Sequence, residues 1–104
     1  MNRGPVRVLS IVSSLCYGGA EKHTVALLNL LETDAFEPIL IYLKPVGDLL
    51  PQLNRGRTKV VECLNVNKKV DRAAIRRLSR IIEEYAIEII VCTNEYPVLY
   101  ALLA

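Results

Sequence analysis

Residues 6–31 decide the fold and read VRVLSIVSSLCYGGAEKHTVALLNLL. The first seven are mostly β-branched or otherwise apolar, which predicts a buried strand. A polar segment and the pair Gly18-Gly19 follow, and the residues from Ala20 onward have the composition of a helix. A strand, a glycine loop and a helix in this order form the first unit of an open α/β domain, where ligands bind at the loop after the strand. This loop is therefore the first candidate for a functional site.

The composition is that of one globular domain, with 104 residues, of which 52% are hydrophobic and 23% charged. A net charge of +2 is too small to indicate a nucleic-acid partner. Cys16, Cys63 and Cys92 are widely spaced and there is one histidine, so the sequence predicts neither a disulfide framework nor a metal site and fits a cytoplasmic protein. Ser13 and Ser14 interrupt the first apolar run, which argues against a signal peptide.

Strand and helix patterns alternate along the rest of the chain. Apolar runs predict strands at 6–12, 39–43, 58–64 and 87–91, and helices are expected at 20–31, 49–55, 72–85 and 98–104. Asp48 and Asp71 are the expected N-caps of the second and third helices. In the third helix, the spacing of Ile75, Leu78 and Ile82 predicts one buried face that also includes Tyr85.

This alternation predicts an α/β fold: a three-layer, Rossmann-like open parallel sheet with right-handed crossovers. We expect the strand order 3-2-1-4, in which strands 1 and 4 are neighbours. The loops at 13–19 and 92–97 would then flank one crevice, where such sheets bind their ligands.

The glycine loop admits two interpretations. It is not GxGxxG, and Lys44-Pro45 stands where a nicotinamide-binding domain has an acid for the ribose, so that class is disfavoured. Gly18 and Gly19 either form a tight turn with close packing or bring backbone amides up to an anion. Glu21, in the first helical turn, either accepts hydrogen bonds from ligand hydroxyls or caps the helix.

Three segments in order resemble family 4 glycosyltransferases of the GT-B fold. They read VRVLSIVSSLCYGGAEKH at 6–23, IYLKPVGDLLPQLNRG at 41–56 and IEIIVCTNEYP at 87–97. The first resembles the opening strand and GGAE element of that family, the second its second strand and following helix, and the third its fourth-strand signature. The likeness covers nearly all of the chain.

This resemblance implies a retaining, metal-independent enzyme without a cofactor. It would transfer a sugar from a nucleotide-sugar donor to a glycan or lipid-linked acceptor, in glycan, glycolipid or cell-envelope biosynthesis. By the same likeness, the N-terminal domain binds the acceptor and its glycine loop helps hold the donor's diphosphate. The implied substrate- and diphosphate-binding residues are Gly18, Gly19, Glu21, Asn94 and Glu95.

The loop after the fourth strand departs from the family. Many members have two histidines there, separated by one small residue, and this chain has Cys92 and Asn94. Asn94 donates a hydrogen bond to a sugar hydroxyl but does not titrate near neutral pH, so the catalytic residues stay unassigned. Cys92 is interpreted as a small buried apolar residue rather than a reactive thiol.

Six basic residues cluster in and just before the third helix. They are Lys68, Lys69, Arg72, Arg76, Arg77 and Arg80. One interpretation is a solvated face balanced by Glu83 and Glu84. The other is peripheral docking on the inner, anionic face of a membrane, next to a lipid-linked acceptor.

The sequence ends within an apolar helix pattern, which predicts that residues 1–104 are a truncated N-terminal, acceptor-side domain. The donor-side domain would be absent from them, and the fragment alone would be inactive. The alternative function is a small non-catalytic flavodoxin-like or nucleotide-binding module that acts through a partner.

Overall fold

The computed structural model describes residues 4–32, 34–66, 70–93 and 95–104, and for Glu95 and Tyr96 the backbone alone. Its strands and helices alternate as predicted except between the second and third strands, where a 3₁₀ turn replaces the expected helix. In chain order they are β1 (Val6–Val12), α1 (Gly19–Leu30), β2 (Phe36–Tyr42), a 3₁₀ turn (Leu50–Gln52), β3 (Val60–Cys63), α2 (Arg72–Glu84), β4 (Ile89–Cys92) and α3 (Glu95–Leu103).

The four strands form one all-parallel sheet in the order β3-β2-β1-β4, which confirms the predicted fold class and strand order. β1 lies between two partners, since Leu9 pairs with Ile39 of β2 and with Ile90 of β4. Pro38 lies inside β2, although the strand was expected to begin after it. The pairing of β2 with β3 starts one residue later, at Ile39, so the missing N–H of Pro38 removes no bond to β3.

Alternate side chains of the sheet enter two separate cores. Leu9, Ile11, Ile39 and Ile41 pack with α2 and with Tyr100 of α3. On the opposite face, the buried cluster contains Val12, Leu15, Val25, Leu28, Leu40, Leu49 and Leu53, from β1, β2, α1 and two loops. Helices on both faces make the three layers that the sequence predicts. No helix in the described part of the chain is long and apolar enough to cross a membrane.

The predicted helix at 49–55 is wrong. Only the 3₁₀ turn forms there, its N-cap is Leu49, and Asp48 is not its cap. Tertiary contacts replace the helical ladder: the Leu49 amide donates to the Leu15 carbonyl over 2.8 Å. Asn29 of α1 holds the other end, because its Nδ2 donates to the Gln52 carbonyl (2.8 Å) and its Oδ1 accepts from the Asn54 amide (2.7 Å).

Helix α2 begins as predicted. The Asp71 carboxylate accepts from the amides of Ala73 (3.1 Å) and Ala74 (3.2 Å), which are two of the unpaired donors of a helix N-terminus. The buried residues are Ala74, Leu78 and Ile81, whereas the predicted partners Ile75, Ile82 and Tyr85 are partly buried beside them.

The start of β4 was predicted two residues too early. Ala86 adopts a positive φ of 49°, and the Ile87 amide donates to the Ile82 carbonyl over 3.0 Å. The turn that ends α2 therefore extends to Ile87, and the strand begins only at Ile89.

Candidate functional site at the ends of β1 and β4

The loops after β1 and β4 lie at the same edge of the sheet. The Thr93 amide donates to the Ile11 carbonyl over 3.1 Å, which fixes the start of the second loop against β1. The hydroxyls of Thr24 and Thr93 lie 3.2 Å apart and join α1 to that loop. This is the arrangement that the predicted strand order required. The Thr24–Thr93 pair itself was missed, because a hydrogen bond between positions so distant in sequence leaves no local pattern.

The two glycines of the first loop have different surroundings. Gly18 is the N-cap of α1, with φ −98° and ψ 159°, an extended conformation open to any residue. A Cβ added to it would overlap Oε2 of Glu21 and lie 3.1 Å from Cδ of the same side chain. A Cβ added to Gly19 would meet no atom of the described residues within 4 Å. Within the described residues, nothing therefore fills the space over Gly19 at the N-terminus of α1.

Glu21 faces the loop rather than the solvent. Its exposed fraction is 8%, and the Cys16 thiol lies 3.7 Å from Oε2, within reach to donate a weak hydrogen bond. The carboxylate is thus placed where it interacts with the positive end of the helix dipole. Of the two roles predicted for Glu21, this position favours the capping role.

An exposed aromatic ring borders the same loop. The ammonium of Lys22 lies 5.6 Å from the centroid of the Tyr17 ring, a cation–π distance. Tyr17 is largely exposed, so part of its side chain is accessible for other contacts. Tyr17 was not identified as a site residue from the sequence, although it directly precedes the glycine pair.

Two of the predicted site positions cannot be placed. Asn94 lies outside the described residues, and so does the side chain of Glu95, whose backbone begins α3. Their assignment to substrate binding stays a prediction.

Cys92 is half-buried and packs against the core beneath α2 and α3. Burial raises the pKa of its thiol above the usual value, which lowers the fraction of reactive thiolate at neutral pH. The surroundings support the interpretation of Cys92 as a small packing residue.

An apolar groove of about 440 Å³ runs along α1 toward this site. Val8 and Ser10 form its floor, and the remaining lining includes Leu27 on one side and Ile89 and Val91 of β4 on the other. The groove exists because α1 packs on β1 and β2. One side of α1 and the neighbouring face of β4 are therefore not covered by another described element. Sequence patterns predicted an apolar β4 but not this groove.

Across 4–32, 34–66, 70–93 and 95–104, no three His, Cys, Asp or Glu side chains cluster as a metal site would require. On α2, Arg77 makes a two-pronged ion pair with Glu62 of β3, at 2.9 and 3.0 Å. Arg72, Arg76 and Arg80 are exposed on that helix, whereas Lys68 and Lys69 lie outside the described residues.

No family model matches the chain, and neither a curated protein nor a solved structure matches it. The resemblance to family 4 glycosyltransferases therefore rests on the three sequence segments alone.

Proposed function

We propose that this chain is the acceptor-side domain of a nucleotide-sugar-dependent glycosyltransferase. The observation that carries the proposal is the meeting of the loops after β1 and β4, with the space over Gly19 at the N-terminus of α1 left unfilled by the described residues. Ligands of open parallel sheets bind at this position. The three family-like segments of the sequence contribute the fold, the glycine loop and the loop after β4.

The proposed chemistry needs little from this domain beyond position and charge. The first amides of α1 have no partner within the helix, and by donating hydrogen bonds they would stabilise the leaving diphosphate of the donor. The loop after β4 would then orient the attacking acceptor hydroxyl. Glu21 is buried at the loop, and the proposed chemistry requires no contact between Glu21 and either substrate.

A titration tests whether the loop binds a diphosphate. Uridine diphosphate and guanosine diphosphate are added to the ¹⁵N-labelled chain, and amide shifts are followed by NMR. We expect changes confined to residues 18–20 and Thr93, and their loss in Gly19→Val, which fills the open space. Gly4→Val is the matched control, because Gly4 is equally open but lies outside this site. Shifts spread over the sheet, or equal binding by Gly19→Val, would contradict the proposal.

The transferase activity requires a longer chain in this proposal, since the donor would bind a second domain. The decisive experiment expresses the chain together with whatever its gene encodes beyond Ala104 and screens nucleotide-sugar donors for transfer or hydrolysis. We expect a second α/β domain and activity in the longer protein, with none in residues 1–104 alone. Transfer by the 104 residues alone would overturn the division of roles.

The alternative is a non-catalytic nucleotide-binding module that acts through a partner. The apolar groove between α1 and β4 favours it, because contiguous exposed apolar surface commonly marks an interaction site. A gene that ends at the codon for Ala104 would select this alternative.

Membrane docking through α2 is a separate part of the proposal. The exposed stripe of Arg72, Arg76 and Arg80 supports it, as each cation near an anionic surface adds about 1 kcal/mol. Pelleting with phosphatidylserine vesicles at low salt measures it, with Arg76→Gln/Arg80→Gln as the test variant. Arg55→Gln/Arg57→Gln removes the same charge elsewhere and is the control. Equal pelleting of both variants would rule out docking through α2.

A further inference from the structure

We propose that Glu21 is a positioning residue for the glycine loop, and that residue 18 is a glycine because the Glu21 carboxylate occupies the space of a side chain there. The proposal goes beyond the proposed function, because it concerns how the loop is held and requires no sugar or nucleotide.

The backbone gives no reason for glycine at position 18. Its φ of −98° is ordinary for every amino acid, so the freedom of glycine to adopt positive φ is not used. As an N-cap, this position is one where Ser, Thr, Asp or Asn would stabilise the helix, and glycine has no side chain with which to do so. Glycine is accepted at an N-cap but adds no hydrogen bond there, so we attribute its presence in place of serine or aspartate to its surroundings.

The surroundings supply that reason through Glu21. A Cβ at Gly18 would overlap the carboxylate, whereas the same addition at Gly19 would meet nothing in the described residues. Glu21 is the third residue of the helix, from which a glutamate reaches back to the N-cap in a capping box. Here the glutamate of the capping box is present, but the N-cap residue has no side chain. The Glu21 carboxylate occupies the position that such a side chain would take.

Burial of Glu21 and its contact with Cys16 restrict how far the carboxylate can move away from a side chain at position 18. Glu21 is 8% exposed, with the Cys16 thiol against Oε2. Val25 and Leu28 bury the next turns of α1 in the core, which fixes the helix under the loop. An alanine at position 18 would therefore displace the carboxylate. Gly18→Ala and Glu21→Ala are expected to cause the same defect by two routes.

A double-mutant cycle tests this coupling. Thermal unfolding is followed by circular dichroism for Gly18→Ala, Glu21→Ala, the double variant and Gly19→Ala. Each of the first two is expected to lower Tm by about 4–8 °C, and the double variant by no more than the larger single effect. Gly19→Ala leaves Tm unchanged or raises it. Additive losses, or a Gly18→Ala effect no greater than that of Gly19→Ala, would overturn the proposal.

Amide hydrogen exchange separates loop positioning from general stability. The Gly18 amide donates to the Cys16 carbonyl (2.7 Å), and the Lys22 amide to the Gly18 carbonyl (3.0 Å). In Glu21→Ala these two amides should exchange faster, while those in α2 change only as global stability does. Glu21→Gln keeps the length of the side chain and is expected to retain most of the protection. Equal changes in both helices would assign Glu21 a general structural role instead.

The outcome stays informative if Gly18→Ala does not fold. Folding of the Gly18→Ala/Glu21→Ala double variant would then support the proposal by rescue, and its failure to fold would overturn it. Because none of these measurements uses a nucleotide, they can succeed when the diphosphate titration fails.

Discussion

On one face of the sheet, α2 and α3 cover β1 and β2; on the other, α1 and the 3₁₀ segment cover β2 and β1 but stop short of β4. The strands involved are equally apolar. Ile39, Leu40 and Ile41 of β2 are 0–1% exposed, whereas Ile89, Ile90 and Val91 of β4 are 37–48% exposed. Apolar sequence therefore determines which segments become strands. Whether a strand is buried depends on where the helices lie over the sheet.

The two sheet edges repeat this difference. At the β3 edge, Lys59 is exposed and Glu62 is paired with Arg77, features by which proteins discourage further strand pairing. The described edge at β4 carries Ile89, Ile90 and Val91 in succession. An edge of this kind is a site of pairing or aggregation unless another element covers it.

The largest expected effect tests whether the two faces of the sheet are covered to different extents. Leu78 of α2 is fully buried, so Leu78→Ala should lower the free energy of unfolding by about 2–5 kcal/mol. Leu27→Ala removes the same atoms from the groove side of α1, where half of the side chain is exposed, and should cost less than about 1 kcal/mol. Urea denaturation measures both. Similar losses would mean that the groove is covered in solution.

A smaller effect is expected at the contact between α2 and α3. Tyr100 is fully buried, and its hydroxyl accepts a hydrogen bond from the Asp71 amide over 3.0 Å. Tyr100→Phe should cost about 1–2 kcal/mol, because that amide loses its acceptor. Tyr17→Phe, at an exposed ring, is the control and should change little. Thermal unfolding of the two variants is the measurement, and equal stability would contradict the contact.

The N-termini of α2 and α1, which lie on opposite faces of the sheet, also differ. The N-cap residue of α2, Asp71, caps the helix with its own side chain, whereas the N-cap residue of α1, Gly18, has no side chain to offer. Asp71→Ala should therefore cost about 1 kcal/mol, and Asp71→Asn should retain most of the stability. Denaturant titration checks both, and an equal loss in the asparagine variant would mean that charge rather than hydrogen bonding matters.

Thiol labelling compares the faces at adjacent residues of β4. In a Cys16→Ser/Cys63→Ser background, Cys92 probes the covered face, and Val91→Cys with Cys92→Ala probes the groove. At about pH 8 the groove thiol should react at least about threefold faster with iodoacetamide, since burial raises the pKa of Cys92. The ratio should fall at higher pH, where Cys92 also ionises. Equal rates at every pH would contradict the difference.

The sequence predicted the sheet well because each strand is a short apolar run between clear breaks. Alternation of strands and helices then restricted the topology to the observed order. The Asp71 cap was predictable for the same reason, as its signal is local. The helix at 49–55 was not, because Leu49 and Leu53 satisfy their burial through contacts with distant parts of the chain.

The candidate site was predictable only in part. Strand order placed the two loops together before any contact was known. The reason for glycine at position 18 was not accessible, because it depends on where the Glu21 side chain lies rather than on backbone conformation. The groove beside α1 was equally inaccessible, since no pattern in a helix or strand reveals which neighbouring position is empty.

The central position of β1 also has a consequence in time. β1 is synthesised well before β4: Val8 pairs with Ile89, roughly 80 residues later, so at about 5–20 residues per second its partner follows about 4–16 s afterwards. During that interval β1 can pair with β2 alone, and its other edge stays open. β1 is thus made before β4 but completed only together with it, and until then its open edge is a place where the growing chain can misassociate.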